Sequence, residues 1–384
     1  MKILQVHNFY REPGGEDRVF ASERDLLKRY GHEVASYTAS NDSLDHISRI
    51  AAGLRTIWNQ ETYTEVRALL RQERPDLVHA HNTYPLISPA FHYAATAERI
   101  PVVQTLHNYR LICAGATLYR DGRVCEDCLH SFVPLPAIKH ACYRHSRLAS
   151  AVTGTMILAH RTAGTWQKRI HTFIALTNFS KQKLMEGGLP GPRITIKPNF
   201  LSTDPGAGDG DGGYAFFAGR LVKEKGIRTL LNAWKELIGI PLKIAGDGPL
   251  RSFVEEQVRT LPHVEYLGRC EPRSVIELLK RAQFLVFPSE WYEGLPMIVV
   301  ESFACGTPVI ASKLGSMVEL IEDGVNGRLF EAGSAESLIS HARLMFRTSP
   351  AMRVSARACY EHSYTAERNY ELLMNIYRNA RRAA

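Results

Sequence analysis

The sequence predicts an α/β protein built from two doubly wound domains facing a central cleft. Three observations predict it. Short apolar runs alternate with helix-length amphipathic segments along most of the 384 residues. A stretch rich in Gly and Asp and poor in apolar residues, Leu201 to Gly213, interrupts the alternation. Beyond that stretch the alternation restarts.

The elements follow in order. Lys2 to His7 reads as a strand, and Pro13-Gly14-Gly15-Glu16 as a turn. A helix carrying Val19, Phe20, Leu26 and Leu27 comes next and ends at Gly31-His32. EVASYT, Pro75 to Ala80, Pro101 to Leu106, Phe173 to Thr177 and Ile194 to Phe200 are further strands. After the linker come YAFFAGR, PLKIAGDGP, HVEYLG, QFLVFPSE and TPVIAS. Residues 1–200 therefore form one expected domain, 201–213 the linker and 214–364 a second domain. The final helix, about 365–384, is amphipathic, basic at its end, and placed to pack back on the first domain.

Composition narrows the function. Lys and Arg number 47 against 39 Asp and Glu, a mild excess that suits an anionic substrate or surface. No apolar run approaches the roughly 20 residues that span a bilayer. The first residues, MKILQVHNFYREPGGEDR, read as a strand and not as a signal peptide, so a cytoplasmic protein is expected. No recognition motif accompanies the positive charge, which argues against nucleic acid. Among the 7 cysteines, Cys113, Cys125, Cys128 and Cys142 stand as C-x11-C-x2-C-x13-C. That order resembles a structural zinc clamp, with reduced thiols in a long insertion as the alternative.

Pro288 to Ser312, PSEWYEGLPMIVVESFACGTPVIAS, is the most informative stretch. It reads as strand, loop, helix and strand. Glu293 is expected in the loop at the carboxyl end of its strand, where ligands of open α/β sheets bind. Glu301, eight residues on, is expected just over two helical turns away on nearly the same face. One carboxylate there can grip a sugar hydroxyl and the other a ribose. Arg220 closes the strand YAFFAG, and Lys225-Gly226 opens the helix that follows. A forked donor, a point charge and a helix start make a phosphate site. Gly14-Gly15 allows close backbone approach to an anion, yet it is not the G-x-G-x-x-G fingerprint of nicotinamide enzymes. His107 ends the strand VVQTLH at the carboxyl edge of the first domain. From Leu129 to Met185 there is no Asp or Glu. Lys139, Arg144, Arg147, Arg161, Lys168, Arg169, Lys181 and Lys183 lie there, with Phe132, Trp166 and Phe173 between them. That segment is a candidate surface for anionic lipid.

These segments together resemble the retaining GT-B glycosyltransferases of family 4, whose two domains are Rossmann-like. The resemblance rests on AGRLVKEKG, IAGDGP, the E-x7-E stretch and GSMVELIEDGVNGRLF in the second domain, and on GGEDRVFASE, GHEV, PDLVHAHN and LHNYRLIC in the first. It implies transfer of a sugar from a nucleoside-diphosphate sugar to a glycan or polyprenyl-diphosphate-linked acceptor in surface polysaccharide synthesis. It implies catalytic roles for His107, Glu293, Arg220 and Lys225. The donor would be held by Gly14, Gly15, Arg220, Lys225, Glu293, Gly294, Leu295, Met297 and Glu301. Two departures stand out: Leu295-Pro296 replaces the common Phe-Gly, and Asn108 replaces the Asp that often follows the strand-end histidine.

Breaking the bond to the nucleoside diphosphate develops an oxocarbenium-like centre and an anionic leaving group. Arg220, Lys225 and helix N-termini can stabilise that anion. The only D-x-D is the Asp-Gly-Asp inside the linker, so no catalytic metal and no cofactor are expected. No carboxylate is placed as a nucleophile, which favours front-face attack by the acceptor hydroxyl. A nucleotide-sugar epimerase of the same shape and a zinc-containing nucleic-acid-binding protein are the alternatives. Peripheral contact with an anionic membrane at the inner face is the expected setting.

Overall fold

The computed structural model describes residues 1–12 and 14–383. Pro13, part of the expected turn, and Ala384 lie outside the described residues. The chain divides into two compact units, 1–118 with 125–198 and 366–384, and 119–124 with 199–365.

The first unit opens with β1 (Lys2–Phe9), α1 (Gly15–Arg29), β2 (Glu33–Ser40), α2 (Arg49–Ile57), α3 (Gln60–Glu73), β3 (Leu77–Ala80), α4 (Ala90–Ala97) and β4 (Val102–Leu106). A short hairpin, β5 (Tyr119–Arg120) and β6 (Arg123–Val124), counts with the second unit. The first unit resumes with α5 (Leu135–Lys139), α6 (Arg147–Thr162), α7 (Thr165–Lys168), β7 (Thr172–Ala175), α8 (Asn178–Glu186) and β8 (Ile194–Ile196). Its sheet runs β2-β1-β3-β4-β7-β8, parallel throughout. Strands buried on both faces read as nearly continuous apolar runs, which is why β3 and β4 were visible in the sequence. Side chains close the helix starts: Asn59 Oδ1 accepts from the N–H groups of Glu61 and Thr62 ahead of α3, and Thr177 caps α8. Gly31, at φ +78°, ends α1 as the sequence predicts, with His32 N–H bonded back to Leu27 O at 3.1 Å.

The second unit contains β9 (Ala215–Ala218), α9 (Ile227–Trp234), β10 (Leu242–Ala245), α10 (Arg251–Val258), β11 (Val264–Gly268), α11 (Pro272–Arg281), β12 (Phe284–Phe287), α12 (Met297–Ala304), β13 (Val309–Ser312), α13 (Met317–Leu320), β14 (Gly327–Phe330) and α14 (Ala335–Ser363). Its parallel sheet runs β11-β10-β9-β12-β13-β14. The order reverses between β9 and β12, the point at which doubly wound sheets open a crevice for ligands. The core, with Phe217, Leu231, Trp234, Ile244 and Val286, fills the space under α9 and α14. The last helix, α15 (Ala366–Arg382), belongs to the first unit. Leu373, Ile376 and Tyr377 of α15 pack with Ile3, Leu77 and Val103 of that unit's sheet.

The segment 201–213, read as a linker, is tied down along the second unit. Gly208, Gly210 and Gly212 donate their N–H groups to Cys305, Lys280 and Arg281 carbonyls at 2.9, 2.9 and 2.8 Å. Arg353 of α14 reaches Gly208 O and Ala282 O from the other side. The glycines here permit close backbone approach, where composition alone suggested freedom.

Candidate functional site

Each unit gathers polar side chains at the carboxyl ends of its strands. In the second unit the loop after β9 carries Arg220 and Lys225, and the loop after β12 carries Glu293. These are the two strands flanking the reversal of strand order. Backbone contact brings the loops together. A Cβ on Gly226, at φ +69°, would sit 1.8 Å from Pro288 O, so only glycine lets the β9 loop lie against the end of β12. Gly246 does the same for the β10 loop, where a Cβ would meet Gly219 O at 1.9 Å.

Glu293 is buried and heavily engaged. Its Oε1 accepts from Lys225 Nζ at 2.6 Å, Ser289 Oγ at 2.6 Å and Trp291 Nε1 at 2.5 Å. Lys225 Nζ also lies 5.4 Å from the ring centre of Phe287 and 5.5 Å from that of Trp291. The loop itself is held: Ser316 Oγ donates to Glu293 O, and Asn199 Nδ2 donates to Leu295 O at 3.2 Å. Arg220 is exposed, and its guanidinium has no hydrogen-bond or ion-pair partner among the described residues. Gly294 and Pro296 continue the loop, and Met297 is the first residue of α12.

One expectation is corrected here. The helix begins only at Met297, so Glu293 lies four residues ahead of it, and the eight-residue step to Glu301 does not place the two carboxylates on one helical face. Extended backbone at Pro296 (φ −67°, ψ 125°) breaks the helical phase. Glu301 is a half-buried residue of the helix itself.

In the first unit a small cavity of about 30 Å³ opens at the ends of β3 and β4. Glu16, Asn82, Gln104, His107, Asn108 and Arg110 line it. Arg110 is fixed over the rings of Tyr84 and Tyr143, 4.4 and 4.9 Å from their centres. Burial raises the Glu16 carboxyl to about 7, with nearby Asp17 adding to the effect, while Tyr10, Arg110 and Asn108 oppose it. Gly14 precedes α1, and its N–H is bonded to Asp17 Oδ2 at 2.6 Å. Gly15 is the first residue of α1.

Behind His107 lies a buried chain of ionisable groups. His107 Nε2 is 3.0 Å from His81 Nδ1. His81 Nε2 is 3.2 Å from Glu23 Oε1, at an angle too bent for a good hydrogen bond. Glu23 Oε2 meets Lys197 Nζ at 3.1 Å, and Glu23 Oε1 meets His79 Nδ1 at 2.9 Å. His79 also reaches Tyr377 Oη and Thr105 Oγ1. Burial alone would raise the Glu23 carboxyl, but Lys197 and the two histidines outweigh it and hold it well below its ordinary value. Burial, then His79, lowers His81 to about 3. Burial, His81 and His7 likewise keep His107 neutral at physiological pH.

Comparison with known proteins assigns the scaffold. The model of Glycosyltransferase Family 4 matches residues 13–205, and that of Glycosyl transferases group 1 matches residues 205–358. The chain belongs to glycosyltransferase family 4. An uncharacterized glycosyltransferase of Methanocaldococcus jannaschii is 38% identical over 132 residues, 34% of this chain and 37% of that protein. The aligned part of this chain thus spans about a third of that relative. The glycogen synthase of Mycobacterium tuberculosis is 25% identical over 361 residues, 89% of this chain and 74% of that one. Among solved structures, Anabaena HepE in complex with UDP superposes with a TM-score of 0.69 at 17% identity, over 98% of this chain and 99% of that one. Sucrose-phosphate synthase from Thermosynechococcus elongatus gives 0.74 at 15% identity over the full length of both. These two likenesses show the GT-B fold.

Other sequence expectations for this family 4 chain change in the structure. Trp166 and Phe173 are buried, and neither is available to enter a membrane interface. Arg161 is spent on the carbonyls of Ser131, Phe132 and Gly187, and Lys183 on Glu126 and Glu186. Lys139, Arg144 and Arg147 remain exposed beside Phe132, Leu135 and Leu148, which are 63%, 63% and 75% exposed. No disulfide joins the cysteines among the described residues. Burial pushes Cys128 up to about 12, with Cys113, Cys142 and Cys125 contributing. Among the described residues, Glu23, His79 and His81 bring potential metal-ligand atoms within 4.8 Å of one another. The Lys197 ammonium already supplies the cation at that carboxylate. Sequence reasoning passed over Glu16, Glu23, His79, His81 and Lys197. The signal for Glu23 was a carboxylate on the apolar stripe of α1, between Phe20 and Leu26-Leu27.

Proposed function

We propose that this chain transfers a sugar, with retention of configuration, from a nucleoside-diphosphate sugar to an acceptor hydroxyl. The observation that carries the reading is the pairing of Lys225 and Glu293, at 2.6 Å, on the two loops that flank the reversal of strand order. A carboxylate poised for sugar hydroxyls and cations poised for a diphosphate stand side by side there. Arg220, exposed and with its guanidinium unpartnered among the described residues, and Lys225 would stabilise the anionic leaving group. Glu293, Gly294, Leu295 and Met297 would border the sugar, and Glu301 would hold the ribose. His107 would meet the transferred sugar. Packing within the first unit does not demand a glycine at Gly14, where an added Cβ would find nothing nearer than 3.6 Å; Gly14 and Gly15 would instead leave room for the donor.

We also propose that no metal takes part, because these cations supply the charge that a D-x-D metal site would otherwise provide. Asp211 of the Asp-Gly-Asp sequence pairs with Arg281. The acceptor reading is a glycan or polyprenyl-diphosphate-linked saccharide used in surface polysaccharide synthesis, reached at an anionic membrane. Its support is the exposed set Lys139, Arg144, Arg147, Phe132, Leu135 and Leu148. No helix among the described residues is long and apolar enough to cross a membrane.

A thermal-shift screen of nucleotide sugars, starting with UDP sugars because Anabaena HepE was solved with UDP and with UDP-glucose, tests the donor reading. Product NMR then reads the anomeric configuration. Turnover of donor into an epimer without acceptor would favour an epimerase, and inversion would overturn the retaining assignment.

A further inference from the structure

We propose that Glu23 and His81 are positioning residues that fix the tautomer of His107, with the proton on Nε2 and a bare Nδ1 left to accept a sugar hydroxyl. The sugar part of this rests on the reading of His107 given above. The tautomer follows from the order of partners. Glu23 has no exposed surface, and its Oε2 faces the Lys197 ammonium at 3.1 Å, so it is an ionised carboxylate and accepts only. His81 Nε2 faces Glu23 Oε1 at 3.2 Å. An unprotonated ring nitrogen 3.2 Å from an ionised carboxylate oxygen would be repelled, so this nitrogen carries the proton even though the angle is bent. A neutral imidazole has one N–H, which leaves His81 Nδ1 as an acceptor. The group 3.0 Å from it is His107 Nε2, which must therefore be the donor. The rings of His81 and His107 are stacked at 16° with centroids 5.3 Å apart, so the bond has a fixed direction. The proton on His107 is thus set by a carboxylate two residues removed, a logic shared with carboxylate-oriented histidines elsewhere.

The groups packed around this chain keep it in one state. His79 meets the same Glu23 oxygen and is bracketed by Tyr377 and Thr105. His7 is held by Asp17 and stacked on Phe20, and so does not compete for His81.

The test uses the full-length chain labelled with 15N-histidine and long-range proton–nitrogen correlation spectra at neutral pH. The proposal expects His107 as the Nε2–H tautomer in the wild type. It expects a mixture of tautomers in His81→Phe and return of the single tautomer in His81→Asn, whose amide oxygen can accept in place of Nδ1. Glu23→Gln combined with Lys197→Met removes the charges as a pair, so the fold is spared an unmatched buried ion, and should also give a mixture. An Nδ1–H or doubly protonated His107 in the wild type, or an unchanged tautomer in His81→Phe, would overturn the proposal. If the tautomers respond as expected while His107→Ala turns over donor at the wild-type rate, the positioning role falls with the assigned role of His107, and the retaining transferase reading stands on the second unit.

Discussion

Lys225 Nζ and Glu293 Oε1, 68 residues apart in sequence, lie 2.6 Å from each other across two loops of one sheet edge. The two residues given separate tasks by the sequence, one for a diphosphate and one for a sugar, are one electrostatic unit. Removing either partner leaves the other charge inadequately compensated in a largely buried site. Lys225→Ala and Glu293→Ala should therefore be strongly non-additive. We expect a coupling energy of about 0.5–3 kcal/mol in kcat/KM across the single and double variants. Additive losses would mean that the two side chains act independently.

Arg220 differs because it is exposed and carries no internal load. Arg220→Ala should leave the melting temperature unchanged and weaken nucleoside-diphosphate binding by about 1.5–3 kcal/mol, the usual scale for a charge-assisted hydrogen bond. Calorimetry with UDP measures it. A lowered melting temperature with intact affinity would assign Arg220 to folding.

The two sheets and most of their strands were legible because parallel strands leave short apolar runs punctuated by turns, as FLVF and VIAS show. The positions of Arg220, Lys225, Glu293 and His107 after strand ends were legible because each follows such a run. The pairing of Lys225 with Glu293 was not, since register between loops is a tertiary fact. Periodicity put Glu293 and Glu301 on one face because it did not show that the helix starts only at Met297, after extended backbone at Pro296. Glu23, His79 and Lys197 were hidden for a different reason. Each sits where the pattern expects an apolar residue, and its partner lies far off in sequence, 174 residues in the case of Glu23 and Lys197. Trp166 was misread as an interfacial residue because composition does not say which face of a segment is buried.

The buried chain predicts acid lability with a definite sign. Glu23 is held well below its ordinary value, so its stabilisation is present above the unfolded carboxylate range and is lost as pH falls through its folded value. His81, lowered to about 3, adds an earlier loss. Below about 6.5 the unfolded chain binds the proton that the folded chain refuses, so stability declines from there downward. The melting temperature should fall steadily from pH 6.5 to 4, and His81→Asn should shallow that slope. Glu23→Ala, which strands Lys197, should cost about 3–5 kcal/mol at pH 7. Chemical denaturation across pH checks both.

Glu16 acts with the opposite sign. Its folded value, about 7, lies above the ordinary 4.5, so the folded chain keeps a proton that the unfolded chain releases between those limits. Stability from this group is full below about 4.5 and is lost as pH rises to 7. Glu16→Gln, which cannot ionise, should raise stability at pH 8 by about 1–3 kcal/mol and change little at pH 4.5. Equal effects at both values would mean that Glu16 titrates normally.

The membrane reading now rests on fewer residues than composition suggested, and that makes it sharper. Arg161 and Lys183 hold the fold together and must be left alone. Lys139, Arg144 and Arg147 are exposed, as are Phe132, Leu135 and Leu148 on the same segment. Each cation near an anionic surface adds about 1 kcal/mol, and this attraction is screened as salt rises. Apolar insertion is not screened. Neutralising the three cations should therefore abolish the salt-sensitive part of co-sedimentation with anionic liposomes, while Phe132→Ser, Leu135→Ser and Leu148→Ser together should lower the part that survives high salt. Both variants should melt at the wild-type temperature, because the side chains changed are on the surface. Liposome binding unchanged in both variants would show that the face is solvated and that the enzyme meets its acceptor away from the bilayer.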